Sequence, residues 1–384
     1  MSPKTSEKNP VSEHLSLYRK YRPKAFDEVI GQEPVVQALK GTLDRGTIAH
    51  AYLFYGSRGT GKTSVARIFA EALGTTANDL YEIDAASNNS VDQIRELNES
   101  VNTVPMQSRY KVYILDEVHM LSKAAFNAFL KTLEEPPRYA IFILATTELE
   151  KVPETVISRC QVFTFKKPNQ QVLRKVVEQT AKKEGRAISP DAAELIALLG
   201  DGSFRDAHGV LQKVLGATGD AGGNTSGKNG ASKITREDVE QVTNAPRGQL
   251  VNSLVSALAE HDIDSALKSV HTASQSNLDI SLFLALLIQK IRAVLLIKYS
   301  PSAETFLRED FSEEDFAFLK KVAGEKGDDK IGKSKTITSQ TLAELLSASS
   351  AVSRSAIPQA PLELALIGLI GQNGGAEGED RNRK

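Results

Sequence analysis

The sequence has a single cysteine, Cys160, among its 384 residues. A disulfide framework and a four-cysteine metal site are thereby excluded, and nothing in the chain asks for an oxidising compartment. An excess of charge of one sign is also missing: 47 Lys and Arg stand against 48 Asp and Glu, giving a formal net charge of -1. Contact with nucleic acid must then come from local placement of cations, because no overall basic field draws a polyanion in. Long hydrophobic runs are few. Met1 to Glu13 is polar where an export signal would be apolar, and the longest greasy stretch, Leu282 to Ile297, is broken by Gln289, Lys290 and Arg292. We therefore expect a cytoplasmic protein with no membrane span. At 41% hydrophobic and 25% charged residues, the chain falls in the globular class and is long enough for two or three domains.

What is present has a clear order. Apolar runs at Ala51 to Tyr55, Tyr81 to Ile83, Lys111 to Leu115 and Ile141 to Ala145 alternate with helical patterns, which predicts buried strands in a parallel sheet. Beyond Phe165 the pattern turns helical, with apolar positions at Leu173, Val176, Val177, Leu195, Leu198 and Leu199. Gly216 to Lys233 is rich in Gly, Ser, Asn and Thr and is expected to be a flexible insertion. Thr235 with Asp238 then resembles a capping box that restarts a helix. From Leu250 to Leu369 the pattern is helical throughout, apart from a loop near Gly324 to Lys335, and a polar tail follows Gly371. The fold class expected is α/β plus all-α. Its parts are a leader over 1–13, an α/β domain over 14–166, a small helical domain over 167–245 containing the insertion at 216–233, a second helical domain over 246–372 and a tail over 373–384.

The strongest chemical signal follows the first strand. Gly56, Ser57, Arg58, Gly59, Thr60, Gly61, Lys62 and Thr63, with Ser64 next, fit the P-loop pattern in the strand-to-helix setting that it needs. Its glycines let backbone N–H groups curl around phosphates at a helix N-terminus, Lys62 supplies a point charge, and Thr63 is placed to ligate magnesium. The apolar strand Val112 to Leu115 ends in Asp116 and Glu117. Asp116 is the candidate for the magnesium shell and Glu117 for the carboxylate that orients the attacking water. A further strand, Ile143 to Ala145, ends in Thr146 and Thr147, with Thr147 placed to sense the terminal phosphate and the water. ATP and magnesium are thus the expected ligands, and hydrolysis the expected chemistry.

Several P-loop classes share those elements, and the remaining motifs choose among them. Leu17 to Gln32, Asp116 to Leu121, Leu130 to Pro137, Ser158-Arg159-Cys160 and Gly202 to Ala207 together resemble the bacterial clamp-loader ATPases of the gamma/tau type, and Ile357 to Glu363 is similar but less specific. The resemblance implies an AAA+ P-loop ATPase domain, a helical lid and a helical oligomerisation collar. It implies that Arg159 is an arginine finger acting in the neighbouring subunit's site and that Arg205 is a second sensor on the lid. Tyr18, Arg19, Pro23, Val29 and Ile30 would line the adenine side.

It also implies partners: delta and delta-prime type loader subunits, copies of the chain itself, the beta sliding clamp, and primer-template DNA held by its backbone. Asn88, Asn89, Arg95, Ser122, Lys123, Lys131 and Lys151 are the candidates for DNA contact, and Leu97 to Met106 for the clamp. His50 and His119 lack metal-like partners in the sequence and are assigned structural roles. The four-cysteine zinc module common in this family has no counterpart in Ala72 to Tyr81, so structural zinc is not expected there. The end at Lys384 resembles the short gamma form, and the region by which the tau form engages helicase and polymerase is not expected. Three other readings compete with this one. Asp116 to His119 also spells a DExH box, but such helicases need a second motor domain. Another AAA+ DNA motor, of branch-migration type, and an ATP-binding structural loader subunit are the alternatives that stay open.

Overall fold

The computed structural model describes residues 15–218, 233–276, 278–300, 302–311, 313–324 and 337–371. The leader, the tail, residues 219–232 of the expected insertion and 325–335 of the second loop lie outside the described residues. The chain divides into two compact units, residues 1–180 with 200–212 and residues 181–199 with 213–384.

The first unit is organised by five parallel strands: β1 (Ala51–Tyr55), β2 (Leu80–Asp84), β3 (Lys111–Asp116), β4 (Ala140–Thr146) and β5 (Gln161–Thr164), in the order β2-β3-β4-β1-β5. The strands alternate in the chain with helices α1 (Leu17–Lys20), α2 (Glu33–Arg45), α3 (Lys62–Ala72), α4 (Val91–Val101), α5 (Lys123–Glu134) and α6 (Glu154–Ile157), and α7 (Gln170–Lys183) follows β5. α8 (Pro190–Leu199) belongs to the second unit, and α9 (Phe204–Thr218) begins in the first. α9 includes Gly216 to Thr218, which the sequence grouped with the insertion.

Both faces of the sheet are covered, which is why its strands read as unbroken apolar runs rather than alternating ones. Tyr52, Phe54, Val112, Ile114, Ile141 and Ile143 point to the face that also buries Val65 and Phe69 of α3 and Leu39 of α2. Their neighbours Leu53, Tyr113, Leu115, Phe142 and Leu144 point to the opposite face, against Ile94 and Leu97 of α4 and Phe126 and Phe129 of α5. The expected strands are all found, extended by a residue or two at β2, β3 and β4. β5 is not among them. It is a mostly exposed edge strand with too few buried positions to leave an apolar signature, and it is held by parallel pairing to β1.

One loop of this unit is pinned by a single carboxylate. Asp79, fully buried, accepts backbone N–H bonds from Met106 at 2.6 Å, Gln107 at 2.9 Å and Ser108 at 2.7 Å. Burial works against its ionisation, but these donors outweigh it and hold the carboxyl at about 2. The result is an ordered loop whose Val104 and Met106 side chains are 71% and 77% exposed.

The second unit is helical. After α8, the capping box expected at Thr235 and Asp238 starts α10 (Arg236–Thr243), followed by α11 (Gly248–Glu260), α12 (Ile263–Gln275), α13 (Ile280–Tyr299), α14 (Ala303–Asp310), α15 (Glu313–Ala323), α16 (Ser339–Val352) and α17 (Ala360–Gly371). By length and apolar composition α13 could cross a bilayer, but its Phe283, Leu284, Leu287 and Ile291 are buried among the other helices of the unit. The polar residues that interrupt it explain its place. Lys290 is 2% exposed and donates to Asp315 at 2.8 Å and Asn252 at 2.6 Å, while Arg236 lies 4.0 Å from Asp315 and pairs with Glu240 at 2.9 Å. This network joins α10, α11, α13 and α15. Burial lowers the Lys290 pKa and Asp315 opposes that shift; burial would raise Asp315, but the Lys290 charge prevails and lowers it.

A buried ion pair is weak evidence for stability, yet removing one partner strands a charge in the core. Asp315→Ala is therefore expected to lower unfolding stability by about 3–5 kcal/mol. The double substitution Lys290→Met with Asp315→Leu should lose much less. Urea denaturation followed by the helical circular dichroism signal compares the two.

Candidate nucleotide site

The site is assembled at the C-terminal ends of three adjacent strands. β4 lies between β1 and β3, with Tyr55 paired to Thr146 and Leu115 to Leu144. The P-loop leaves β1, the acidic pair ends β3, and Thr146 and Thr147 end β4. The sheet therefore brings together three motifs separated by some thirty to fifty residues of sequence, as open parallel sheets do for their ligands.

Two P-loop glycines carry the backbone turn. Gly59 and Gly61 have φ of +73° and +100°, in the left-handed region that side chains disfavour, and Gly61 is the residue from which α3 starts. Around Gly59 there is also no room: a Cβ there would meet the Ser203 Oγ at 2.0 Å, and the Gly59 carbonyl accepts the Phe204 N–H at 3.0 Å. The first turn of α9 is thus joined to the phosphate loop. Thr60 is buried and bonds Ser57 O at 2.9 Å, while Ser57 and Arg58 are exposed at the loop's outer side. Thr63 and Ser64 lie in the first turn of α3, half-buried.

Lys62 is buried and donates to the carbonyls of Gly56 at 2.8 Å and Ser57 at 3.0 Å. Burial lowers its pKa, opposed by the charges of Glu117 and Asp116. Thr63 donates its hydroxyl to Asp116 Oδ2 at 2.7 Å. Two hard oxygens thus sit side by side, a donor set that fits magnesium, which takes few protein ligands and completes its shell with phosphate and water. Glu117 follows with φ of 50° and ψ of 45°, an unusual left-handed conformation for a residue with a side chain. The turn presents its carboxylate to Thr147, whose hydroxyl donates to Glu117 Oε2 at 3.3 Å.

His119 was assigned a structural place by the sequence, but it touches this centre. Its ring is 3.5 Å from Glu117, 3.3 Å from Glu148 and 3.1 Å from the Thr146 hydroxyl. Its position two residues after Glu117 was the signal available. Gln32 was also missed as a contact. Buried, it donates to Lys166 O at 2.7 Å and Thr60 O at 3.4 Å and accepts the Lys166 N–H at 3.1 Å, tying the P-loop to the chain after β5.

The remaining candidates fall into separate groups. Tyr18 carries the Arg205 guanidinium over its ring at 4.7 Å and accepts from Arg19 at 3.1 Å. Val29 packs on the core that includes Phe26 and Val65, and Pro23 and Ile30 are half-buried nearby in sequence. Arg159 is 33% exposed and bonds Glu134 at 2.7 Å, Thr155 O at 2.6 Å and the Ser158 hydroxyl at 3.4 Å. Among the described residues it makes no bond to the P-loop, Asp116 or Glu117 of its own chain. Cys160 beside it is packed into the core, where burial pushes its thiol up to about 12. His50 is exposed, and its carbonyl accepts the Phe142 N–H at 2.8 Å.

The candidates for DNA contact gather chiefly at two helix starts. Ser90 caps α4 and Ser122 caps α5, and the two starts are linked where the Ser122 N–H meets Asn89 O at 3.4 Å. Asn88 is held by Asp84 O at 2.9 Å and by Gln93 at 3.0 Å, Arg95 pairs with Asp92 at 3.0 Å, and Lys123 and Lys131 are exposed on α5. Lys131, in the last turn of α5, and Lys151, paired with Glu148 at 2.7 Å, are not at these helix starts. In the clamp candidate segment, Leu97 and Val101 are buried core residues, and the exposed apolar side chains are Val104 and Met106.

Residues 75–169 match the family model described as DNA polymerase III, delta subunit. The chain is 37% identical over 327 residues to DNA polymerase III subunit tau of Bacillus subtilis, covering 80% of this chain and 56% of that protein. It is 37% identical to subunit tau of Escherichia coli over 75% of this chain and 46% of that one. It thus spans about half the length of these relatives. Subunit gamma of Buchnera aphidicola is 33% identical, with 74% of this chain and 80% of the relative covered. A solved Thermotoga maritima RuvB Holliday junction branch migration motor aligns over 67% of this chain and 86% of its own, at 21% identity and a TM-score of 0.49.

Gly59 offers a test of the geometry. With left-handed strain of about 1–2 kcal/mol for a non-glycine residue, Gly59→Ala is expected to weaken binding of a fluorescent ATP analogue about tenfold or more. Gly46→Ala is the control: its φ is +65°, but a Cβ there meets nothing within 4 Å. That variant should lose stability without losing affinity.

Proposed function

Since the chain belongs to the gamma/tau subunit family of DNA polymerase III, we propose that it is an ATP-hydrolysing motor subunit of the clamp loader. It would open the beta sliding clamp and load it onto primed DNA during replication, in the cytoplasm. The observation that carries this reading is the convergence of Lys62, Thr63, Asp116, Glu117 and Thr147 at the C-terminal ends of β1, β3 and β4.

The residues divide the work. The P-loop N–H groups and Lys62 would hold the phosphates, with Tyr18, Arg19, Pro23, Val29 and Ile30 toward the base. Thr63 and Asp116 would hold magnesium, which supplies charge neutralisation on the phosphate oxygens. Glu117, steadied by Thr147, would orient and polarise the attacking water, and Arg205 on α9 would contact the terminal phosphate. Arg159 would complete the site of a neighbouring subunit, a reading supported by its lack of bonds to its own P-loop and acidic pair. With this goes a division into an ATPase domain over 14–166, a lid over 167–245 and a collar over 246–372. The partners proposed are delta and delta-prime type subunits, further copies of the chain, the clamp, and the DNA backbone at the helix starts of α4 and α5.

The test is steady-state ATP hydrolysis by the chain reconstituted with delta-type subunits, with and without clamp and primed DNA. Strong stimulation requiring both is expected; stimulation by DNA alone, indifferent to clamp, would overturn the loader reading. Lys62→Ala should lose ATP binding, and Glu117→Gln should bind ATP yet stall. Arg159→Ala should bind ATP normally while stimulated turnover falls about 1,000-fold, the lower end for an arginine finger. Full stimulated activity in that variant would refute the in-trans role.

A further inference from the structure

The short helix α1 lies along one face of α9, and the contacts are spaced as a helix face requires. Arg205, His208 and Gln212 stand at i, i+3 and i+7 on α9. Gln212 Oε1 accepts the Leu17 N–H at 2.9 Å. The His208 ring stacks on Tyr21 with centroids 6.5 Å apart and planes at 9°, and the Arg205 guanidinium covers the Tyr18 ring at 4.7 Å. His208 is itself fixed, buried between the Thr180 hydroxyl at 3.1 Å and Phe204 O at 2.7 Å. The root of Arg205 is fixed as well, because the preceding residue, Phe204, donates to Gly59 O of the P-loop at 3.0 Å. Arg205 therefore hangs from a held backbone beside the phosphate loop, on a long side chain that now rests on an aromatic face.

We propose that the Tyr18 ring is a resting seat for Arg205 that competes with the terminal phosphate of bound nucleotide, making the N-terminal segment an autoinhibitory latch on the site. This rests on the nucleotide reading above and adds to it a regulatory contact. One guanidinium cannot cover the ring and make charge-assisted bonds to a phosphate at the same time. With a triphosphate bound, Arg205 divides between the ring and the terminal phosphate, and with a diphosphate, which lacks that group, it stays on the ring. The latch thus distinguishes the two nucleotides by the chemistry that separates them.

Three cations act around Tyr18, and Arg22 among them also feels Arg67 and the Glu82 carboxylate. Arg205 approaches from α9, Arg19 from its own segment, and Arg22 contributes a further positive charge from just beyond α1. Bonding from Arg205 first, then Ser16 and Arg19, lowers the phenol to about 8. A phenolate would grip the guanidinium more firmly than a neutral ring does. The latch therefore tightens as pH rises through that value.

The experiment measures kcat and KM for ATP against pH, from about pH 7 to about pH 9, bracketing the Tyr18 value, in the reconstituted complex with clamp and primed DNA. The variants are Tyr18→Phe, Tyr18→Leu and Arg205→Ala, with helical melting curves as the folding control. In the unsubstituted chain kcat should fall over the alkaline limb, and Tyr18→Phe, which keeps the ring but cannot ionise, should lose that fall. Tyr18→Leu, which removes the seat, should raise kcat at neutral pH about two- to fivefold, the size of an exposed cation–π contact. In the Arg205→Ala background, the Tyr18 substitutions should no longer change kcat. If Tyr18→Phe keeps the full alkaline fall, or if both Tyr18 variants move only KM, the ring acts on binding alone and the latch is refuted. If the unsubstituted complex shows no turnover sensitive to Lys62→Ala, the nucleotide reading fails instead.

Discussion

The structure of the site depends on β4 running between β1 and β3. Without that strand, the P-loop leaving β1 and the acids ending β3 would have no shared frame. With it, the parallel register fixes Tyr55 against Thr146 and Leu115 against Leu144 and sets three strand ends in line. The insertion also explains the core. A strand with neighbours on both sides and helices on both faces is apolar along its length, and all seven residues of β4, up to its closing Thr146, are buried. The strand ends beside which the proposed chemistry sits thus adjoin a closely packed core, where small displacements are resisted.

That same packing decides what could be read from the sequence. β1, β3 and β4 are interior strands, so their apolar runs are long and their ends sharp, and the P-loop and the Asp116-Glu117 pair sit at recognisable places beside them. β5 is an edge strand with only one half-buried position, and its pairing to β1 is made by backbone atoms that leave no pattern in side chains. Gln32 and Asp79 were illegible as contacts for a related reason. Each is a polar residue whose partners lie far away in sequence or on another strand, and a residue type alone does not say which N–H or carboxylate it will meet. Thr235 with Asp238 is the opposite case: a cap acts within one helical turn, so the sequence sufficed.

The second unit shows how polarity inside an apolar helix can be misread. Gln289, Lys290 and Arg292 in α13 argue against a membrane helix, and the structure shows what at least two of them do instead. Gln289 donates to Glu194 of α8, and Lys290 anchors the network through Asp315 and Asn252. A charge at the centre of a helical unit must find its partner there, so packings that leave it unpaired are penalised, although the pair adds little net stability. Leucine contacts alone would tolerate several packings of such helices. The ion network therefore limits alternatives that hydrophobic burial leaves open.

Charge also bears on why the nucleotide site would need a neighbour. Within one chain, Lys62 is the buried cation at the loop, with Arg58 exposed on its outer side, and Asp116 and Glu117 are the carboxylates that face Lys62, so the sum over these three facing groups is negative before any phosphate arrives. A polyphosphate brought there meets fixed N–H dipoles and one ammonium, against two acids that the proposed chemistry requires. On the proposed reading, further positive charge would be imported: magnesium through Thr63 and Asp116, Arg205 by leaving Tyr18, and Arg159 from another copy. Each import is conditional, on metal, on the terminal phosphate, or on assembly. On the proposed reading, an isolated chain binds nucleotide at a site electrostatically prepared for the ground state only, and the transition state, with its charge spread over the transferring phosphate, finds enough positive charge only when all three conditions hold. Turnover then reports on assembly as a consequence of charge balance, without any separate device to enforce it.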